Sequence, residues 1–257
     1  MKITYIKHIR IKLVILATLV FLAAAMGIYG IGDTIAKSVS NNYSAKLPIY
    51  CTDNDNREIA LTTNCAWGAE DIYEILETLD KYNVKATFFV LGTWAETNPH
   101  ELKAIYEHGH EIGNHSYSHK LPSKSNANQL AEEIDKCNNI VEQIIGCRPI
   151  LYRAPSGDIT ETILDLTDER GMFNIKWSVD SIDWRKDMTY DNILNRVLGR
   201  TESGSILLFH NDTRWTSKVL PEIISSLQKQ DYKFVKVSEL IYTSDFYIDS
   251  TGKQHKS

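Results

Sequence analysis

The chain has 257 residues, of which 43% are hydrophobic and 24% are charged, a composition typical of a globular protein and unlike that of disordered or collagen-like chains. Its formal net charge is −5, but the first 31 residues carry four basic and no acidic side chains, so the remainder holds 24 basic against 33 acidic residues, a net charge of −9. A body so acidic lacks the basic surface that attracts phosphate backbones, which argues against nucleic acid as a partner. The four cysteines form no C-x-x-C pair, which argues against a zinc ribbon or a disulfide-dense scaffold.

The amino-terminal segment predicts export. Residues 1–12 hold the four basic side chains and are predicted to form a cytoplasmic tail. Residues 13–31 are uncharged, and a helix of this length reaches about 28 Å, close to the hydrocarbon thickness of a bilayer. We therefore expect a single-pass transmembrane helix in the cell membrane, with the rest of the chain outside the cytoplasm. Three alanines at positions 23–25 leave open a cleaved signal peptide instead.

Three further segments are predicted. Residues 32–48 are rich in Ser, Asn and Lys and are predicted to form a tether. Residues 49–245 form the folded domain, and residues 246–257 a polar tail. Predicted strands cover residues 59–63, 85–91, 111–114, 150–153, 173–179, 205–209 and 232–235. Predicted helices cover residues 71–82, 129–145, 160–170, 190–198 and 217–229, with one more whose buried face holds Leu102, Ile105 and Tyr106.

The alternation of strands and helices predicts an α/β fold in which helices cover a parallel sheet. If this sheet closes into a (β/α) barrel, its chemistry lies at the carboxyl ends of the strands. Polar clusters follow five of the predicted strands at that point. They begin at Asn64, Asn114, Arg153, Asp180 and His210. Their joint placement indicates a functional site.

The segment after the third strand contains two histidines, His115 and His119, at a spacing of four. In a helical turn, this spacing places both imidazoles on one face, where they could bind one metal ion at about 2.0–2.1 Å. Such pairs also occur by chance or as hydrogen-bonded side chains, so the spacing alone does not decide between them.

Three further clusters hold an acid–base candidate, carboxylates that could orient it, and a cation. His210 ends an apolar run, and Asp180 or Asp183 is available to orient its ring and tune its pKa. Without such a carboxylate, a histidine at a strand end is more often structural. Arg153 precedes a Pro-Gly turn, and its alternative interpretation is a surface arginine.

Six segments occur in a fixed order: Ile59–Thr62 with Ala66–Gly68, Lys85–Phe89, Gly109–His119, Arg153–Gly157, Asp180–Trp184 and Leu207–His210. Read together, they resemble the polysaccharide deacetylases with the NodB homology domain, also called carbohydrate esterase family 4. The likeness runs from about Glu58 to Ile241 and implies a distorted (β/α) barrel. The Ala66–Gly68 segment and the amino-terminal anchor are most similar to sporulation-associated deacetylases of spore-forming Gram-positive bacteria.

The resemblance implies a hydrolase that removes N-acetyl groups from amino sugars with a divalent metal, commonly zinc. His115 and His119 match the two metal-binding histidines. His210 matches the acid that protonates the departing amine, and Asp183, with Asp180 as the runner-up, matches the carboxylate that keeps this histidine cationic. Four more motif positions are expected to contact the polysaccharide: Pro155, Ser156, Trp184 and Leu208.

One position departs from the family pattern. Asn64 stands where the resemblance places the aspartate that takes a proton from the attacking water, and Arg153 matches the arginine that positions this base. A side-chain amide cannot accept a proton at ordinary pH, and loss of general-base assistance costs about 10²- to 10⁴-fold in rate. Glu70 or Asp71 could act as a substitute base or ligand, or could simply be acids at a helix N-terminus. Cys65 could bind the metal as a thiolate or simply pack beneath the site.

The sequence leaves three functions open. The first is a deacetylase of peptidoglycan or another N-acetylglucosamine polymer, linked to sporulation and limited by Asn64. The second is a membrane-tethered, glycan-binding pseudoenzyme of the cell envelope. Action on another amide, such as a small acetamide, is a further alternative, because nothing in the sequence defines sugar subsites.

Overall fold

The computed structural model describes residues 46–257. The predicted cytoplasmic tail, the predicted transmembrane helix and nearly all of the predicted tether lie outside the described residues. Within residues 46–257, the helices lack the combination of length and apolar character that crossing a membrane requires.

Strands and helices alternate along these residues, as the sequence pattern predicts. The strands are β1 (Cys51–Thr52), β2 (Glu58–Cys65), β3 (Thr87–Val90), β4 (Glu111–Asn114), β5 (Leu151–Tyr152), β6 (Phe173–Asn174), β7 (Val179–Asp180), β8 (Ile206–His210), β9 (Lys233–Phe234), β10 (Phe246–Ile248) and β11 (Lys253–Lys256). The helices are α1 (Ile72–Lys81), α2 (Gly92–Thr97), α3 (Pro99–Glu107), α4 (Ala127–Ile145), α5 (Glu161–Asp168), α6 (Tyr190–Leu198), α7 (Thr216–Lys229) and α8 (Val237–Leu240).

Most of the strands form one parallel sheet that curls into a half-barrel. The strand order is β6-β5-β4-β3-β2-β8-β7, and β9 pairs with β2 beside this path. β6 and β7 lie at opposite edges of the sheet, yet only residues 175–178 separate them, so the two edges must approach each other. We predicted a single strand over residues 173–179. The chain forms two short strands instead, because it passes here from one edge of the sheet to the other.

Strand β2 lies near the centre of the sheet, and its successive side chains point to opposite faces. Ile59 and Leu61 point to the helices and join the main apolar core. Thr62 and Asn64 lie on the opposite face, toward the inside of the curl. Asn64 is the register partner of His210 on the neighbouring strand β8. The parallel register therefore brings two of the predicted site residues side by side at the carboxyl ends of their strands.

Two local features of the helices differ from the sequence prediction. α2 was not predicted, because its six residues are too few to show a helical period, although Trp94 and Ala95 are buried. In α3, Leu102 and Ile105 are buried as expected, but Tyr106 is 40% exposed. A tyrosine at the edge of an apolar face can keep its hydroxyl group in water.

The predicted polar tail is part of the fold. β10 and β11 pair antiparallel, and β11 pairs with β1 from the start of the domain. The His255 ring stacks on Tyr247, and its nitrogens lie 2.9 Å from carboxylate oxygens of Asp53 and Asp249. The prediction was wrong because both strands are short, β11 is polar, and β11 pairs with a segment that is distant in sequence.

His110, directly before β4, is a buried histidine whose protonation opposes folding. Its side chain is 3% exposed and packs on Phe88. The ring Nδ1 accepts a hydrogen bond from Ala86 N–H, and Nε2 has no hydrogen-bond partner within residues 46–257. Burial lowers the pKa of His110 to about 4. The unfolded chain therefore binds a proton near pH 6.5, well before the folded chain does. This contribution to stability is complete above pH 6.5 and is lost as the pH falls toward 4, in total about 3 kcal/mol.

Urea unfolding between about pH 4 and pH 7 tests this expectation. The free energy of unfolding should fall more steeply on acidification in the wild-type protein than in His110→Gln. Some slope should persist in the variant, because burial also lowers the pKa of His115. His100→Gln, at an exposed position, is the control and should follow the wild type. Parallel curves for His110→Gln and the wild type would contradict this account of His110.

Candidate active site

A cavity of about 410 Å³ lies at the carboxyl ends of the parallel strands. The predicted site residues that line it are Asn64, His115, His119, Ser156, Asp180, Trp184, Leu208 and His210. Arg153 and Asp183 are buried behind the cavity wall and bond to lining residues. Pro155 is buried and is not among the lining residues. The tertiary structure therefore brings most of the predicted set to one place.

His115 and His119 are brought together by a loop, not by the helical turn that their spacing suggested. Their ring centroids lie 5.3 Å apart. Residues 115–120 are not helical, and Ser116 and His119 have positive φ values of 74° and 64°. Non-glycine residues in this region cost about 1–3 kcal/mol each, so neighbouring groups must hold the loop in place.

Glu133 of α4 provides that support. Its Oε2 accepts hydrogen bonds from Ser116 Oγ at 2.7 Å, Tyr117 N–H at 3.1 Å and Ser118 N–H at 2.7 Å. Its Oε1 accepts from Ser118 Oγ at 2.8 Å and lies 3.0 Å from Lys120 Nζ. Burial opposes ionisation of this carboxyl group, but the bonds from Ser118, Ser116 and Lys120 hold the pKa of Glu133 below its usual value. A buried carboxylate thus fixes the chain between the two histidines.

Glu133→Gln should lower the free energy of unfolding by about 2–3 kcal/mol, because the amide loses the charge-assisted bonds and leaves buried donors unpaired. Urea unfolding measures the loss. Glu132→Gln changes the exposed neighbouring residue on the same helix and should lie within about 0.5 kcal/mol of the wild type. Equal stability of the two variants would mean that Glu133 does not hold the loop.

The orientation of the His115 ring is fixed by Arg153. His115 Nδ1 lies 2.8 Å from the Arg153 carbonyl oxygen, and because a carbonyl only accepts, Nδ1 carries the hydrogen. Nε2 is left as the free nitrogen of a ring that lines the cavity. Burial lowers the pKa of His115 well below its usual value and also lowers that of His119. Both imidazoles are therefore neutral at pH 7, the form that binds metals.

His210 is paired with a carboxylate. Its Nδ1 lies 2.8 Å from Asp183 Oδ1, and its backbone N–H donates to Asp183 Oδ2 at 2.7 Å. Thr216 Oγ1 also donates to Oδ2, at 2.6 Å. Within residues 46–257, Asp180 makes no hydrogen bond or ion pair with the ring, and its Oδ1 accepts from the backbone N–H of Ile182. Asp183 therefore orients His210 and leaves Nε2 for the cavity.

Asn64 and Arg153 meet at the floor of the cavity. Arg153 Nη1 donates to Asn64 Oδ1 at 3.0 Å and to Thr62 Oγ1 at 2.8 Å. Because a guanidinium group only donates, Oδ1 of Asn64 faces the arginine, and the Nδ2 donor is left for the cavity. Within residues 46–257 no carboxylate lies within 4.0 Å of Arg153, which rests 3.9 Å from the Phe89 ring. Burial lowers the pKa of Arg153 to about 9, so it is a buried cation at neutral pH.

The residues considered as substitutes for the missing base or ligand do not line this cavity. Glu70 Oε2 accepts from Ala69 N–H at 3.0 Å, and the Asp71 carboxylate accepts from Asp212 N–H at 2.9 and 3.0 Å. Burial raises the pKa of Asp71. Cys65 is fully buried in the main core, and burial raises the pKa of its thiol well above the usual range. These three side chains are engaged in local hydrogen bonds or core packing, whereas Asn64 lines the cavity.

Comparison with known proteins identifies the family. A family model described as polysaccharide deacetylase matches residues 52–175. A peptidoglycan-N-acetylglucosamine deacetylase of Bacillus cereus is 37% identical over 191 residues, which cover 73% of this chain and 69% of that protein. The chain belongs to the polysaccharide deacetylase family. Its enzymes are hydrolases, and the curled parallel sheet agrees with their barrel type.

Other polysaccharide deacetylase relatives include proteins without activity or without a known one. The crystal structure of a carbohydrate esterase family 4 pseudoenzyme from Bacillus anthracis superposes with a TM-score of 0.74 at 32% identity, covering 84% of this chain and 75% of that one. A mutant of that protein is described as having restored enzymatic activity. YlxY, an uncharacterized protein of Bacillus subtilis, is 37% identical over 194 residues, or 76% of this chain, and the match spans 60% of its length.

The polysaccharide deacetylase site of this chain offers two protein ligands for a metal. The neutral imidazoles of His115 and His119 line one cavity and fit a divalent cation. Within residues 46–257, no group of three His, Cys, Asp or Glu side chains is placed to hold a metal ion, and Asn64 Oδ1 is already bonded to Arg153. Because a catalytic zinc usually has three protein ligands, this pair fits a weakly held cation.

Three residues that organise the site were missed by the sequence analysis: Thr62, Glu133 and Thr216. Glu133 had a detectable signal, since it is an acidic residue between the inward-facing Leu130 and Ile134 of an amphipathic helix. Thr62 and Thr216 carry no such signal, because a hydroxyl group in a strand or at a helix start is common. Their partners, Arg153 and Asp183, become apparent only when the chain is folded.

Proposed function

We propose that this domain removes N-acetyl groups from amino sugars of a cell-wall polysaccharide, peptidoglycan or an N-acetylglucosamine polymer, at a reduced rate. One observation carries the proposal: His210, oriented by Asp183, lines the same cavity as His115 and His119. The reduced rate is expected because Asn64 occupies the position of the base.

The chain's own groups supply the acid half of the reaction. Asp183 accepts the Nδ1 hydrogen of His210 and stabilises positive charge on the ring. Nε2 can then donate a proton to the departing amine, without which an amide is a poor substrate. Trp67 and Trp184 are exposed beside the cavity and offer flat faces for a pyranose ring.

In residues 46–257, the site lacks a general base for the attacking water. Arg153 holds Asn64 Oδ1, and Nδ2 is a donor, so neither atom of this amide can accept the proton of an attacking water. Hydrolysis must then release that proton to solvent. We expect a rate about 10²- to 10⁴-fold below that of a site with a carboxylate base.

We further infer that His115 and His119 hold a divalent metal, most simply zinc. The support is the neutral form of both rings and the Arg153 carbonyl that fixes the His115 tautomer. A cation bound there would polarise the acetamide carbonyl and lower the pKa of a bound water. With two protein ligands, we expect the metal to be removed easily by a chelator.

We place the protein in the cell membrane, held by a single pass through residues 13–31 with the domain outside the cytoplasm. The support is the uncharged run that follows a basic tail. A role in sporulation is part of the same proposal and rests on the Ala66–Gly68 segment of the first motif. Protease protection in intact cells and expression during sporulation test these two points.

A second candidate function is that of a glycan-binding pseudoenzyme. The observations in its favour are the bonded amide of Asn64, the lack of a third metal ligand beside the two histidines within residues 46–257, and the likeness to a family 4 pseudoenzyme from Bacillus anthracis. In this case the cavity binds the N-acetylated chain and does not turn it over.

Acetate release by the purified protein separates the two functions. Peptidoglycan and N-acetylglucosamine oligomers are the substrates, and binding is measured in parallel. A slow release that a chelator stops and zinc restores supports the deacetylase. Binding that a chelator does not change, without acetate, supports the pseudoenzyme. Neither binding nor acetate release would contradict both.

A further inference from the structure

A second cavity of about 480 Å³ adjoins the first. Trp67 and Trp184 line both, and they are 53% and 54% exposed. The Trp67 ring centroid lies 5.6 Å from that of His210. A polymer with one unit at His210 would therefore cross these two rings and place a neighbouring unit in the second cavity.

The second cavity is rich in cations. Arg185, Lys186 and Arg214 line it. Arg185 is neutralised by Asp187, with Nε and Nη2 at 2.9 and 2.6 Å from its two carboxylate oxygens. Lys186 and Arg214 have no carboxylate within 4.0 Å in residues 46–257. Two cations are thus available to a ligand, on a body whose net charge is strongly negative.

The acidic residues that line this cavity are already engaged by the protein. Asp183 bonds to His210 and Thr216. Asp212 Oδ2 accepts the backbone N–H of Gly68 at 3.0 Å. Neither carboxylate is placed to neutralise Lys186 or Arg214.

An aromatic wall accompanies the cations. The Trp215 ring lies 4.6 Å from Arg214 Cζ and 5.8 Å from Lys218 Nζ, so a further cation stands beside the cavity. Trp215 Nε1 donates to the Met188 carbonyl at 2.9 Å, which holds the ring in place. Flat apolar faces next to basic groups suit a sugar ring that carries a negative charge.

We propose that the second cavity binds a carboxylate on the sugar unit next to the one at His210, with Lys186 and Arg214 as its partners. This inference rests on the proposed function, since the same chain occupies both cavities. With such a subsite, the expected substrate is an amino-sugar chain with alternating acidic units, and a neutral homopolymer should bind less well. The carboxylate belongs either to an ether side chain of the sugar or to a peptide attached there.

The test compares three tetrasaccharides by calorimetric titration of the full chain. The first is the neutral N-acetylglucosamine tetramer. The second alternates N-acetylglucosamine with N-acetylmuramic acid and carries free lactyl carboxylates. The third carries a short acidic peptide on each lactyl group. We expect the carboxylated chains to bind about tenfold more tightly than the neutral one and to lose this advantage at high salt.

The variant is Lys186→Gln with Arg214→Gln, and the matched control is Arg200→Gln with Lys229→Gln. The control removes the same charge from exposed positions away from both cavities. The first pair should remove the preference for carboxylated chains and leave neutral binding unchanged, whereas the control pair should retain the preference. Comparison of the second and third ligands shows which carboxylate is recognised.

Two results would overturn the inference. Equal affinity of the wild-type protein for neutral and carboxylated chains would contradict the proposed carboxylate-binding subsite but leave the proposed function intact. An unchanged preference in Lys186→Gln with Arg214→Gln would place the recognition elsewhere. If none of the three chains binds and no acetate is released, the proposed function fails together with this inference.

Discussion

Asn64→Asp is expected to raise acetate release from N-acetylated glycan by about 10²- to 10⁴-fold, which is the contribution of a general base. The introduced carboxylate has the shape of the native amide and lies next to His210 in the register of β2 and β8. Arg153 Nη1, now 3.0 Å from Asn64 Oδ1, would face a carboxylate oxygen and hold it in place. Initial rates on N-acetylglucosamine oligomers and on peptidoglycan measure the gain.

Asn56→Asp is the matched control, because it adds the same charge at an exposed position before the opposite end of β2. It should leave the rate unchanged. Equal rates for Asn64→Asp and the wild type, both well above the uncatalysed reaction, would mean that another group already acts as the base. Equal rates at the level of the blank would favour the pseudoenzyme.

His210→Ala, introduced together with Asn64→Asp, should remove about 10²- to 10⁴-fold of the restored rate, because the departing amine then lacks a proton donor. The reason is geometric: Asp183 holds His210 Nδ1 and leaves Nε2 for the cavity. The measurement is acetate release at saturating substrate, with binding followed in parallel.

Asp183→Asn in the same background separates the proton donor from its support. The ring is still present, but it lacks the carboxylate that orients it, so the rate should fall. Asp180→Asn is the comparison, since Asp180 bonds to Ile182 and not to the ring, and its rate should stay close to that of its parent. A His210→Ala variant that is as active as its Asn64→Asp parent would contradict the role of His210 as the proton donor.

Much of the fold could be predicted from the sequence, because local pattern and tertiary environment agree there. β4 begins and ends at the predicted residues, as does α6. In α4, the apolar stripe and the buried face coincide at Leu130, Ile134 and Cys137. In such segments the period of the apolar residues directly reflects the face that packs on the sheet.

The remaining elements depend on long-range pairing. The strands β6 and β7 were predicted as one, since a run of β-forming residues does not show that its two ends pair with opposite edges of a sheet. β10 and β11 were predicted as a tail, since β10 is only three residues long, β11 has polar side chains without apolar alternation, and β11 pairs with the distant β1. Register and edge position are properties of the partner strand, which local sequence does not specify.

The candidate site shows the same division. The polar clusters after the strands could be placed at one end of the sheet from the sequence, because the carboxyl ends of parallel strands meet there. The choice of Asp183 over Asp180 as the partner of His210 also follows the sequence expectation. The sequence did not predict that Glu133 supports the His115–His119 loop, because this contact joins a loop to a distant helix through a buried carboxylate.

The sequence by itself determined the residue types of the site, their order and the presence of Asn64 where the family resemblance implies a base, because these are facts of covalent composition. Only the tertiary structure decided that Glu70 and Asp71 lie away from the cavity in local hydrogen bonds, and that Cys65 is buried in the core and not placed to bind a metal there. It also decided which atom of the Asn64 amide remains for the cavity, since the buried Arg153 guanidinium can only donate and therefore takes the oxygen.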